Sequence, residues 1–256
     1  DLTLDGNNVD VSGNGAFIFT FGTNNGLAGA TITFINNTFA THNVQLYDNT
    51  DSGDFFSFLD DNTIDQSVII TDGVNVVSES GVRYVRSSIQ SAIDAASVGD
   101  TILVGPGTYV EDVVVDKADL NLLGPYAGIP GYDDTRNPEA VVEGNIKLEA
   151  NGVTLDGFAV LSGGKTWAID ITASDILIQN NIIDGQDSTD QYAIGAGGAT
   201  GYQTYQYNLI KNFTAGDSGS KDWSIFLDGG TDNSIKIHGN KFENNKRGVI
   251  FSGSLN

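Results

Sequence analysis

The chain has no cysteine and no methionine, and of its 256 residues only four are proline and two are histidine. Without cysteine there can be no disulfide framework, no thiolate ligand for zinc and no thiol nucleophile. Two histidines, His42 and His238, with no sulfur ligand beside them, disfavour copper handling. Basic residues are scarce as well. There are 12 Lys and Arg against 33 Asp and Glu, a formal net charge of −21. Such a surface repels phosphate backbones and anionic lipid, so neither nucleic acid nor a membrane is an expected partner. No apolar run approaches the length of a bilayer span, and no signal peptide is visible. The chain opens on Asp1, and with no methionine anywhere it reads as a piece of a longer protein, secreted or displayed on a bacterial-type cell surface.

Glycine is plentiful, at 32 residues, and 39% of the chain is hydrophobic. The apolar positions are periodic, which separates this acidic chain from a disordered one. Aligning short apolar motifs reveals repeats. The first rung runs Val153–Leu155, Gly157–Phe158, Trp167–Ile171, and the second runs Ile176–Ile178, Asn181–Ile183, Tyr192–Ile194. The third pairs Tyr205–Ile210 with Trp223–Leu227, and the fourth runs Ile235–Ile237, Asn240–Phe242, Gly248–Ile250. Equivalent positions are 25, 31 and 25 residues apart (Trp167, Tyr192, Trp223, Gly248). Alternation of apolar residues within each motif is the signature of a strand with one buried face. The repeat predicts an all-β solenoid, a right-handed parallel β-helix of coils of about 25 residues, with strands stacked ~4.8 Å apart. The extra residues of the third rung, 213–221, are expected to leave the coil as a surface loop.

One segment predicts a helix. In Ser88–Ala96 (SIQSAIDAA), Ile89, Ala92, Ile93 and Ala96 share a face, with Ser87 or Ser88 as cap and Gly99-Asp100 beyond the end. A strand closing in a Pro-Gly turn follows, Asp100–Tyr109, and then Val113–Val115 and Leu120–Leu122. The segment SIQSAIDAASVGDTILVGPGTYVEDVVVDKADLNLLGP resembles the opening of pectin-lyase-like β-helix domains. The later rungs resemble periplasmic copper-protein-like and carbohydrate-binding β-helix repeats, so the resemblance covers residues 82–256. It implies a short helix plugging one end of the solenoid, but no particular activity, because one fold of this kind hosts many. Residues 81–256 are therefore expected to form the β-helix. Residues 1–80 form a β-rich region, read as solenoid-like or as the end of a preceding unit. There Leu2–Gly6 echoes Val153–Gly157, and Ile32–Asn37 echoes Ile176–Asn181.

Candidate functional residues follow from the repeats. Trp167, Tyr192 and Trp223 should stand one above another. As an exposed column they would stack on sugar rings, together with Asp170, Asp228, Lys165 and Lys221. Strict alternation instead places the three aromatics on the side of Ile169, Ile194 and Ile225, as a buried stack, and turns Asp170, Ser224, Phe226 and Asp228 outward. Asn37, Asn181, Asn208 and Asn240 recur after a strand, where side-chain amides would satisfy turn backbone. Asp184, Asp187 and Asp190, and likewise Asp48, Asp51 and Asp54, are spaced three apart in loops. Either set is a candidate Ca²⁺ site, although neither has EF-hand or nonapeptide spacing.

The resemblance also supplies catalytic templates. The two Asp and one Arg of a pectin-methylesterase-like site find no matching segments, and neither histidine lies in Gly-His-Gly or Asp-Pro-His. A polysaccharide lyase would need a base, for which Lys165, Lys211, Lys221, Lys246 and Arg247 are available. The leading expectation is a surface module for adhesion or polysaccharide binding. A lyase acting on an acidic glycan is the alternative, although the charge of −21 steers such a substrate away.

Overall fold

The computed structural model describes the strands 2–5, 8–9, 17–21, 32–35, 38–39, 44–48, 63–64, 74–77 and 83–86. It also describes 88–252 except 163, 188–190, 198–200, 215–222 and 229–232. From Thr101 onward the chain winds as a right-handed parallel β-helix with three sheets. The first sheet contains the parallel strands Thr101–Val104, Asn121–Leu123, Thr154–Asp156, Ile176–Gln179, Gly201–Gln206 and Asn233–His238. The second contains Gly107–Tyr109, Ala140–Glu143, Ala159–Leu161, Ile182–Asp184, Leu209–Lys211 and Lys241–Glu243. The third contains Val113–Val115, Ile146–Leu148, Trp167–Ile171, Tyr192–Gly197, Trp223–Asp228 and Arg247–Ser252. At the start of the first sheet, Val74–Val77 pairs antiparallel with Thr101–Val104, and Arg83–Arg86 pairs antiparallel with Val74–Val77.

Branched aliphatic residues fill the interior in columns, because strands such as Val113–Val115 and Ile176–Gln179 bury alternate side chains against the coils above and below. Ile102, Leu122, Leu155, Ile178 and Tyr205 follow one another in the first sheet, and Val113, Ile146, Ile169, Ile194 and Ile225 in the third. All are buried. Each such side chain contributes roughly 1.5–3 kcal/mol by leaving water. Burial also pushes the Tyr205 hydroxyl well above the usual phenol range. The 31-residue step stands, since Ile194 pairs with Ile225. The next step needs a correction of one residue, because Trp223 stands opposite Arg247 rather than Gly248.

The predicted helix, α1 (Ile89–Ala95), is bolted to the first coil at both ends. Ser88 forms the capping box with Ser91, and the Glu111 carboxylate accepts hydrogen bonds from the Ile89 and Gln90 amides, both at 2.9 Å. At the other end the Lys117 ammonium donates to the carbonyls of Ile93, Asp94 and Ala96. An anion at the N-terminus and a cation at the C-terminus both complement the helix dipole. Ile89, Ala92, Ile93 and Ala96 are all buried, closing the core at this end.

Before this unit, short strands pair in parallel: Leu2–Asp5 with Ile32–Ile35, Asn8–Val9 with Thr38–Phe39 and on to Thr63–Ile64, and Phe17–Phe21 with Val44–Asp48. Among the described residues no helix is long and apolar enough to cross a membrane.

Candidate functional site

Two corners of the coil carry side chains that repeat from rung to rung. At the corner between the first and second sheets, the asparagines form a continuous ladder. Asn181 Oδ1 accepts from the Phe158 amide, Asn208 Oδ1 from the Asn181 amide and Asn240 Oδ1 from the Asn208 amide, each at 2.9 Å. Their Nδ2 groups donate to the carbonyls of Leu155, Ile178 and Tyr205. Each amide thus satisfies backbone groups that the turn would otherwise leave buried and unpaired, which is the structural role the sequence suggested. Asn37 lies outside the described residues. A loop across 124–139 covers this corner: the Gly131 amide donates to the Tyr207 carbonyl, and Arg136 donates to the Asn180 carbonyl while pairing bidentately with Glu139. The Arg136 side chain is 1% exposed, so it fastens the loop and offers nothing to a ligand.

The other corner leads into the third sheet, and there strict alternation fails. Ala168, Ala193 and Ser224 are fully buried, and so are Ile169, Ile194 and Ile225 directly after them. Two consecutive inward residues in each rung mean that the strand turns at this point, so the residue before the pair cannot face inward as well. Trp167 and Trp223 are half-buried, and Tyr192 retains 7% exposure. Of the buried stack expected for these aromatics, Tyr192 is buried, whereas Trp167 and Trp223 stay partly exposed. Ser224, expected to face outward, is fully buried, and its hydroxyl donates to the Arg247 carbonyl.

On this outer face Trp167 stacks on Tyr192, its neighbour in register, with ring centroids 4.1 Å apart and planes at 23°. Phe226 meets both rings, at 5.8 Å from Trp167 and 5.4 Å from Tyr192. The three rings gather because of Gly195. A Cβ at that position would lie 2.2 Å from Cε3 of Trp167, so the indole occupies the space that any other residue would fill. On the following coils Trp223 stands opposite Arg247, whose guanidinium lies over the indole at 5.3 Å.

Polar groups border the rings. Asp170 stands between Lys147 and Gly195 in register. Burial pushes its carboxyl above the usual carboxylate range; Lys147 opposes that and Glu149 adds to it. Lys147 itself is held by Glu149 at 2.5 Å. Lys165 pairs with Asp112 at 2.6 Å, a hydrogen bond that holds the Asp112 carboxyl low. Asp228 is exposed at the end of its strand, opposite Gly197 and Ser252. The structure therefore brings together Trp167, Tyr192, Phe226 and Asp170, with Trp223 and Arg247 along the same column. The sequence places Phe226 outward and offers Arg247 as a base, but gives no sign of Gly195 or Lys147 as parts of this cluster. The repeated aromatic–small–Ile motif (Trp-Ala-Ile, Tyr-Ala-Ile, Trp-Ser-Ile) is the signal that reveals the turn.

The carboxylate clusters look different. Asp184 accepts from the Gln186 amide and from Asn212, and pairs with Lys211 at 3.4 Å. Asp187 accepts from Thr214. Asp48 ends the strand Val44–Asp48, whereas Asp51, Asp54, Asp190 and Lys221 lie outside the described residues. Among the described residues, no group of three or more His, Asp or Glu is placed to hold a metal ion.

The fold and this face define a class: a right-handed parallel β-helix with a helix over one end and an aromatic cluster on one outer sheet. Compared with known proteins, the chain is 33% identical over 99 residues to a cell surface glycoprotein of Methanothermus fervidus. The matched segment is 38% of this chain and 15% of that protein. No family model matches the chain, and no solved structure matches it.

Proposed function

We propose that the chain is a surface-displayed β-helix module that binds polysaccharide on the outer face of its third sheet. The observation that carries this reading is the Trp167–Tyr192–Phe226 cluster, in which Trp167 and Phe226 are partly exposed over a buried Tyr192, with Asp170 in register beside Gly195. Aromatic faces cover the apolar faces of pyranose rings, and a neighbouring carboxylate accepts hydrogen bonds from their hydroxyls. Surface display is supported by the likeness to a cell surface glycoprotein, and the family reading of a pectin-lyase-like solenoid by the three parallel sheets and the capping helix. A lyase reading gains little from Lys147 and Lys165, which are each paired with a carboxylate.

The test is retardation of the full chain in native gels cast with soluble polysaccharides. Trp167→Ala is expected to weaken retardation at least ~10-fold, as loss of a well-placed aromatic contact does. Retardation by some polymer that Trp167→Ala and Phe226→Ala both leave unchanged would place binding elsewhere. Absorbance at 235 nm, followed in parallel, reports β-elimination; a flat trace is expected, and a rising one would replace binding with lyase chemistry.

A further inference from the structure

We infer that the platform selects an uncharged, hydroxyl-rich glycan over a uronate polymer, and that Asp170 is the residue that sets this preference; the inference rests on the glycan-binding reading above. Among the described residues, two lysines of this face are ion-paired. Lys147 is bound by Glu149 at 2.5 Å and Lys165 by Asp112 at 2.6 Å, while the Arg247 guanidinium lies over Trp223, on the far side of the ring cluster from Lys147. Asp170, by contrast, stands beside the rings. Its register neighbour is Gly195, and the indole of Trp167 fills the space over that glycine, so the carboxylate is set at the margin of the aromatic patch.

A sugar ring resting on Trp167 would lie near this carboxylate. Neighbouring sugar hydroxyls can donate to its two oxygens, and such charge-assisted bonds are stronger than neutral ones. A uronate carboxylate in the same place would meet a like charge in a partly desolvated setting, where water screens it less than at an open surface. The remaining charge of the chain, −21 overall, adds repulsion at longer range. The same geometry makes Gly195 a positioning residue. It is not itself a ligand contact, yet having no Cβ it leaves the space that the Trp167 indole occupies.

The experiment is calorimetric titration of the full chain with two uncharged polymers, a soluble β-glucan and a mannan, and two uronates, polygalacturonate and alginate. Wild type is expected to bind at least one uncharged polymer ~10-fold or more tightly than either uronate. Asp170→Asn keeps the size of the side chain, and thermal unfolding confirms that it folds. It should weaken uncharged-polymer binding about tenfold, the usual cost of losing a charged hydrogen-bond partner, without weakening uronate binding. Asp170→Glu should recover part of the loss. Uronates bound as tightly as the uncharged polymers, or weakened equally by Asp170→Asn, would overturn the preference while leaving the glycan-binding reading in place. Binding to none of the four polymers would overturn both.

Discussion

The two repeated corners of this coil solve different problems. Between the first and second sheets the same residue recurs, Asn181, Asn208 and Asn240, each making the same bonds to the coil before it. At the turn into the third sheet the residue changes from Trp167 to Tyr192, Trp223 and Arg247, and the rings contact one another off the ladder, through Phe226 and over Gly195. A position that must satisfy the backbone has one good answer, so it repeats. A position that satisfies no backbone group is free to vary, and here it varies among aromatic and cationic residues. Uniformity marks scaffold and variety marks the surface available for function.

Substitutions can break this contrast, and the largest effect is expected in the ladder. Asn208→Ala leaves the Asn181 amide and the Ile178 carbonyl without their buried partner. It should cost about 3 kcal/mol, the sum of two unsatisfied groups at their usual penalty, seen as a lower denaturant midpoint. Glu111→Gln, at the helix that closes the core, should cost about 1 kcal/mol, as loss of a charged cap does. Gly195→Ala on the outer face should displace the Trp167 ring and shift the tryptophan emission, with a smaller loss of stability than Asn208→Ala. A loss as large as that of the ladder variant would mean that the aromatic corner is scaffold too.

The smallest effect sharpens the comparison through pH. Because burial raises the folded-state pKa of Asp170, this carboxyl favours folding while protonated, and that contribution is lost as pH rises through its folded value. Asp170→Asn should therefore raise the unfolding temperature slightly at neutral pH and leave it unchanged in acid. A lowered unfolding temperature at pH 7 would show that the carboxylate supports the fold.

Much of this was legible in the sequence. The helix face of Ile89, Ala92, Ile93 and Ala96, the ladder role of Asn181, Asn208 and Asn240 and the 31-residue step all follow from local periodicity, because each depends on neighbours in the chain or on a fixed repeat. The turn at Ala168-Ile169 was not foreseen. Period-two alternation holds only while a strand stays straight, and a coil must turn somewhere. That one-residue change of face reversed the reading of Ser224 and left Trp167 and Trp223 partly exposed, while Tyr192 is buried as expected. The clamp of Arg136 on Asn180 and the seat of Trp167 on Gly195 were equally hidden, since each joins residues that only the stacking of coils brings together.

The most direct measurement uses the two tryptophans of the chain, both of which lie on the proposed face. Intrinsic fluorescence is recorded while a soluble polysaccharide that retards the protein is titrated in, with acrylamide as quencher. Binding on the third sheet predicts a blue shift and protection from quenching that saturate with the retardation. An unchanged spectrum and unchanged quenching at saturating polysaccharide would contradict the placement of the site on this face.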